Sequence, residues 1–259
     1  MKRELLLSFV LAMSFLVLCA CAGPAPTTAP TTAPTAAPTT ESTTEPTIQP
    51  TMAPTNAATA EPTDAPTEPV YIYENAMEDY LLPLEEYSDD RVCAPEFVMI
   101  HFTSAVVEHR KDPYNMQYVR DIFVDYNISV HYVVDRDGTV RCYIPENRVA
   151  WHAGRGEFGG DSKYTNKMNQ YAIGIEVLAI GSEEDMSIYL TSQEYHALDD
   201  SLKGYTQEQY DALKLLVADL CERYDIPMDR THVIGHEEYS PQKTDPGELF
   251  DWNQIIPAS

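Results

Sequence analysis

Ser129-Val-His-Tyr-Val-Val134, Asp135-Arg-Asp-Gly138 and Thr139-Val-Arg-Cys-Tyr-Ile144 read as two strands joined by a turn. Both flanks are rich in β-branched and aromatic residues, which fit a pleated, half-buried surface. Between them Asp-Gly is a strong hairpin signal, because glycine accepts the positive φ that the turn requires. An isolated hairpin is barely stable in water, so other elements must cover it. Working outward, Phe97 to Phe102, Ala172 to Val177 and Thr231 to Ile234 are further apolar runs of strand length. Helical spacing appears instead in Tyr114 to Tyr126 and in Thr206 to Tyr224. In the second of these, Tyr210, Leu213, Leu216, Val217, Leu220 and Tyr224 share one stripe. Thr206 with Gln209 makes a capping box at its start, and Asp225-Ile-Pro227 stops it. Strands interspersed with two helices predict an α/β fold, a mixed central β-sheet flanked by helices, in a single domain.

The first third of the chain reads differently. Lys2 and Arg3 precede an apolar run from Leu5 to Leu18, followed by small residues around Cys21, which is the layout of a secretory signal. Leu18-Cys-Ala-Cys21 resembles the bacterial lipobox, in which the last cysteine carries the lipid. Residues 1–20 are therefore expected to be a lipoprotein-type signal peptide, with Cys21 as the lipidation site. The protein is then extracytoplasmic and anchored to the bacterial cell membrane; an ordinary cleaved signal, giving a secreted protein, and an uncleaved membrane helix are the alternatives. The apolar run is short for a span of about 20 residues. From residue 21 to residue 70 the chain repeats Ala-Pro-Thr and Glu-Pro-Thr units with almost no large apolar side chains. Such a segment cannot bury enough surface to offset the entropy of ordering, so it reads as a disordered, semi-stiff linker, or as a glycosylated stalk. Residues 71–259 remain for the folded domain, an ordinary size for one core.

A net charge of -24 argues against nucleic acid as a partner, since phosphate binding needs a basic face. No Lys or Arg occurs between Arg3 and Arg91, and the acidic excess at Asp79, Glu85, Glu86, Asp89 and Asp90 reads as surface solubility. Beyond Cys21 the cysteines are Cys93, Cys142 and Cys221, an odd number that permits at most one bridge among them. None has metal-site spacing.

The segment richest in chemistry is His232-Val-Ile-Gly-His236-Glu-Glu-Tyr-Ser-Pro-Gln-Lys243-Thr-Asp245-Pro-Gly-Glu-Leu-Phe-Asp-Trp252. On a helix the two histidines would share a face, but Val233, Ile234 and Gly235 favour a strand and its exit. Four residues of strand span about 13 Å, too far for two ligands of one zinc whose bonds are near 2.1 Å. Only one of the pair can then be a ligand. His236, after Gly235 and at the start of an irregular loop, is better placed than His232.

With three other blocks this segment resembles the type 2 N-acetylmuramoyl-L-alanine amidases, the family related to peptidoglycan recognition proteins. The blocks are Val98-Met-Ile-His101-Phe-Thr103, then Val130-His-Tyr-Val-Val-Asp-Arg-Asp-Gly138 with Ala150-Trp-His-Ala-Gly154, then Asn169-Gln-Tyr-Ala-Ile-Gly-Ile-Glu176. Each is weak alone; four in order are specific. The resemblance implies a catalytic domain with zinc ligands His101, His236 and Asp245. Two imidazoles and one carboxylate leave a fourth tetrahedral position for water, as a hydrolytic zinc requires.

Glu176 shares a strand face with Ala172 and Gly174, a face expected to have room above it. The family assigns the general base and acid role to this position; a solvent-facing strand glutamate is the plain alternative. Lys243, two residues before Asp245, is implied to stabilise the developing oxyanion, or is a surface lysine. Trp151 and His152 are expected in the substrate groove, with core packing as the alternative. His131 reads as structural or as a partner behind the ligands, and His109 and His196 as surface residues. Phage members often carry a tyrosine where this chain has Val130, which puts more of the proton traffic on Glu176. The implied activity is hydrolysis of the bond between N-acetylmuramic acid and L-alanine in peptidoglycan. A non-catalytic peptidoglycan-binding module is the alternative, although such relatives have lost a zinc ligand and this chain keeps all three.

Overall fold

The computed structural model describes residues 70–256. The expected signal peptide, Cys21 and the linker up to residue 69 lie outside the described residues. In chain order the elements are α1 (Leu84–Tyr87), β1 (Ser88–Asp90), β2 (Phe97–Thr103), α2 (Met116–Tyr126), β3 (Tyr132–Val134), β4 (Val140–Cys142), β5 (Arg148–Ala150), α3 (Met168–Tyr171), β6 (Ala172–Leu178), α4 (Ser192–His196), α5 (Gln207–Tyr224), β7 (Val233–Gly235) and α6 (His236–Tyr239), with short 3-10 turns at Asp200–Leu202 and Trp252–Gln254. Five strands form a mixed sheet in the order β4-β3-β6-β2-β7, antiparallel between β3 and β4 and parallel elsewhere. β1 and β5 make a separate antiparallel pair.

Strand alternation divides the sheet into two faces. Val98, Ile100, Ile173, Ile175, Val177, Tyr132, Val134 and Val233 pack on one side against Tyr210, Leu213, Leu216, Val217 and Leu220 of α5. Each such aliphatic side chain, fully buried, contributes roughly 1.5–3 kcal/mol. The other face is covered in two parts. Val133 and Leu178 meet Met116, Val119 and Phe123 of α2, while Phe97, Met99, Ala172 and Ile234 meet Met168 and Tyr239. Burial on both faces explains why β2 and β6 read as continuous apolar runs. His101, Gly174 and Glu176 belong to this second face, with His101 and Glu176 in the C-terminal halves of β2 and β6.

The hairpin forms as expected: Gly138 has φ +81°, and Asp135 N–H donates to the Thr139 carbonyl at 2.9 Å. α5 carries the expected capping box, in which Thr206 and Gln209 bond reciprocally, and ends at Asp225 in the left-handed region. The expected strands at Ser129–Val134 and Thr231–Ile234 prove shorter because side chains divert their first residues. Ser129 Oγ donates to the Tyr87 carbonyl and accepts from Trp151 N–H, and Asp229 captures Thr231 N–H. The pairing of β1 with β5 and the short helices α1, α3, α4 and α6 carry too few residues for a sequence period. Cys93, Cys142 and Cys221 are free thiols, and burial pushes Cys142 up to about 12 and Cys221 up to about 11. Among the described residues no helix is long and apolar enough to cross a membrane.

Candidate metal centre

Three of the singled-out residues converge at the ends of β2 and β7. His101 is the fifth residue of β2, held in place by pairing with β6 on one side and β7 on the other. His236 opens α6, a one-turn helix rather than the irregular loop expected, whose start is fixed by Gly235 N–H donating to Glu238 Oε2 at 2.7 Å. Asp245 follows in the next loop, where its carbonyl accepts from Glu237 N–H at 3.0 Å. The result is a small triangle: His101 Nδ1 to Asp245 Oδ2 is 2.8 Å, His236 Nδ1 to Asp245 Oδ2 is 3.0 Å, and the two Nδ1 atoms are 3.0 Å apart. His232, four residues before His236, turns away and bonds Asp229.

The outer edges of the rings decide what the triangle can hold. His236 Nε2 lies 3.0 Å from the Ala153 carbonyl, which only accepts, so the neutral ring carries its proton there and presents a lone pair at Nδ1. His101 Nε2 lies 3.0 Å from His152 Nδ1. Burial and then the neighbouring His236 lower the His101 pKa to about 4, so this ring is neutral near pH 7. Burial opposes ionisation of Asp245, yet the two imidazoles outweigh it and hold the carboxyl below the usual carboxylate range. A carboxylate and inward-facing imidazole nitrogens at such separations repel unless a cation or a ring proton sits among them. The three residues thus form a group able to bind a metal ion.

Glu176 stands in register with His101 on the neighbouring strand, so the two side chains project from the same face. Burial, then the Asp245 charge, raises its pKa well above the ordinary value, with the Lys243 ammonium opposing. Its Oε2 is buried without a hydrogen-bond partner. Lys243 itself is exposed. The space expected above Gly174 is filled: a Cβ there would lie 2.5–2.8 Å from ring atoms of His152.

The two expected groove residues separate. His152 packs edge to face against His101, with ring centroids 5.1 Å apart, and its Nε2 is buried without a partner. Trp151 is half-buried and donates its indole N–H to Asp89 Oδ2 at 2.8 Å, bridging β5 to β1. His131 is fully buried behind His152; its Nδ1 accepts from Gly174 N–H at 3.0 Å, and burial with the adjacent Arg91 keeps it neutral. Val130 is fully buried in the core. His109 stacks on Tyr118, and His196 meets Glu183 at the surface.

Two further residues at the site had no assigned role. Tyr189 is 42% exposed yet close enough for Asp245 and Glu176 to contribute to raising its pKa, after burial. Asn169 Oδ1 accepts from the backbone N–H of both His152 and Ala153. Asn169 opens one of the four sequence blocks, but its contacts could not be read there because its partners are distant in the chain, and Tyr189 stands in no such block.

The chain matches the family model described as N-acetylmuramoyl-L-alanine amidase over residues 91–248. It is 32% identical over 147 residues to the 1,6-anhydro-N-acetylmuramyl-L-alanine amidase AmpD of Haemophilus influenzae, covering 56% of this chain and 65% of that protein. It is 31% identical over 139 residues to the N-acetylmuramoyl-L-alanine amidase AmiD of Escherichia coli, covering 51% of this chain and 44% of the other. The chain therefore matches about half to two thirds of the length of these relatives. A crystal structure of a selenomethionine derivative of AmpD superposes with a TM-score of 0.48 at 25% identity, covering 71% of this chain and 93% of that one. The family model spans more than half of the chain and takes in His101, Glu176, His236 and Asp245, so this chain belongs to the N-acetylmuramoyl-L-alanine amidase family.

Proposed function

We propose that this chain is a zinc-dependent amidase that hydrolyses the bond between N-acetylmuramic acid and the L-alanine of peptidoglycan, in cell-wall remodelling or turnover. The observation that carries the reading is the triangle of His101 Nδ1, His236 Nδ1 and Asp245 Oδ2, at 2.8–3.0 Å, with Glu176 in register beside it. Two imidazoles and one carboxylate are a donor set that hydrolytic zinc sites use. Relatives named as amidases of the muramyl-L-alanine bond support the substrate class.

Zinc held there would supply a Lewis acid and activate water at neutral pH. Glu176, whose carboxyl stands in register with His101 on the neighbouring strand, takes the proton of the attacking water and delivers it to the leaving amine nitrogen of L-alanine. Lys243 offers its ammonium to the carbonyl oxygen as negative charge develops there. Trp151 stays assigned to the substrate side of the site, whereas His152, packed on Gly174, backs the His101 ring. Digesting purified peptidoglycan and weighing the products tests the reaction. Stem peptides with a free N-terminal L-alanine, and glycan that keeps its lactyl group, are expected. Acetate release, or binding to the wall with no product at all, would refute it.

A lipid anchor on Cys21, an extracytoplasmic location at the bacterial membrane and a linker over residues 21–70 complete the proposal. The basic start, the apolar run and Leu18-Cys-Ala-Cys21 support it. Cys21→Ser is expected to release the protein from the membrane fraction or to block its processing. Unchanged fractionation would mean that the lipid is not the anchor.

A further inference from the structure

Asn169 lies in α3, the one-turn helix that leads into β6, and the roles above leave it unassigned. Its Oδ1 accepts two backbone hydrogen bonds, from His152 N–H at 3.1 Å and from Ala153 N–H at 2.7 Å. The residues it clamps reach the two metal-site histidines by different routes. His152 does so with its ring, Nδ1 lying 3.0 Å from His101 Nε2, and Ala153 with its carbonyl, 3.0 Å from His236 Nε2.

Those contacts select tautomers. A carbonyl only accepts, so His236 keeps its proton on Nε2 and turns the Nδ1 lone pair inward. At His101 the Nε2 atom lies 3.0 Å from His152 Nδ1, and with Nε2 as the donor the His101 Nδ1 lone pair likewise faces Asp245. Gly174 fixes the height of the His152 ring, since even a Cβ would lie 2.5 Å from it. Asn169 fixes the backbone from which that ring and the Ala153 carbonyl project.

We propose that Asn169 is a positioning residue of the metal centre: by holding the His152-Ala153 dipeptide through both N–H groups, it sets the ring tautomers of His101 and His236 together. This rests on reading His101, His236 and Asp245 as metal ligands, but not on the amidase reaction. Partners behind metal-binding histidines orient the rings, and their loss costs about 10–100-fold in metal affinity.

The test uses the full chain, zinc and two substitutions. Asn169→Leu keeps the size and loses the acceptor; Asn169→Asp keeps an oxygen able to accept both N–H groups. In competition with a chelator, Asn169→Leu is expected to bind zinc about 10–100-fold more weakly, while Asn169→Asp recovers most of the affinity. In the zinc-loaded unmodified protein, nitrogen NMR of the histidine rings is expected to show a proton on Nε2 of both His101 and His236. Zinc affinity unchanged in the leucine variant would overturn the proposal. So would coordination through Nε2 of either histidine, a measurement that stands even if the leucine variant does not fold. A role limited to closing the loop would lower the melting temperature without moving zinc affinity. Zinc bound with these tautomers in a protein that cuts no amide would refute the reaction and leave this inference intact.

Discussion

Glu176 and Asp245 are both carboxylates within one small site, yet their surroundings assign them opposite work. Asp245 faces two imidazole nitrogens that favour its ionised form, whereas Glu176 has a buried oxygen with no donor and a raised pKa. Replacing each should therefore fail differently. Glu176→Gln is expected to keep near-normal metal content and slow turnover by about 10²- to 10⁴-fold, the usual size of an acid-base contribution. Asp245→Ala is expected to weaken metal binding itself, because only two imidazoles remain. Metal analysis and product assays on both variants decide the matter. A Glu176 variant that lost its metal would move that residue into the coordination sphere, and one with normal turnover would make it a plain strand residue.

At the scale of elements, β6 and α5 show how backbone positions serve the site from a distance. At Gly174 the His152 ring lies against β6, and a methyl group there would meet it at 2.5–2.8 Å. Overpacking of this kind costs about 1–3 kcal/mol, and here the relaxation would displace the partner of His101. Gly174→Ala is therefore expected to lower both melting temperature and metal affinity; a variant with both unchanged would show that His152 moves freely. α5 makes a contrasting case. Thr206 caps it by accepting from Gln209 N–H, and its hydroxyl also donates to the Arg136 carbonyl, far from the triangle. Thr206→Ala should cost about 1 kcal/mol in urea unfolding and leave metal affinity alone. A large loss of metal binding would tie the helix to the site in a way the packing does not suggest.

For the molecule as a whole, the ligands come from β2, α6 and the loop after it, so a bound metal links segments more than a hundred residues apart in the chain. A ligand that binds only the folded state stabilises it by mass action, about 2.7 kcal/mol at one hundred times Kd. Removing metal with a chelator is expected to abolish hydrolysis and lower the melting temperature, and adding zinc back should restore both. Full activity in metal-free protein would end the zinc reading. Chemical unfolding of the chelated and reloaded protein measures the same linkage independently.

Local pattern was enough to determine the strands on both sides of Asp135-Arg-Asp-Gly138, the stripe and caps of α5, and the blocks containing His101, Glu176, His236 and Asp245. The strands and the helix depend on periodicity and turn chemistry, which act over a few residues, whereas the four blocks were legible through their resemblance to a known family. His232 and His236 flank β7, and His232 bonds Asp229 outside the triangle. Tertiary structure alone decided that His236 starts a helix, that β1 pairs with β5, and that the room above Gly174 belongs to His152. It also made Asn169 the clamp behind both imidazoles. Each of these rests on contacts between residues distant in sequence, whose geometry appears only once the sheet order β4-β3-β6-β2-β7 brings β2, β6 and β7 side by side.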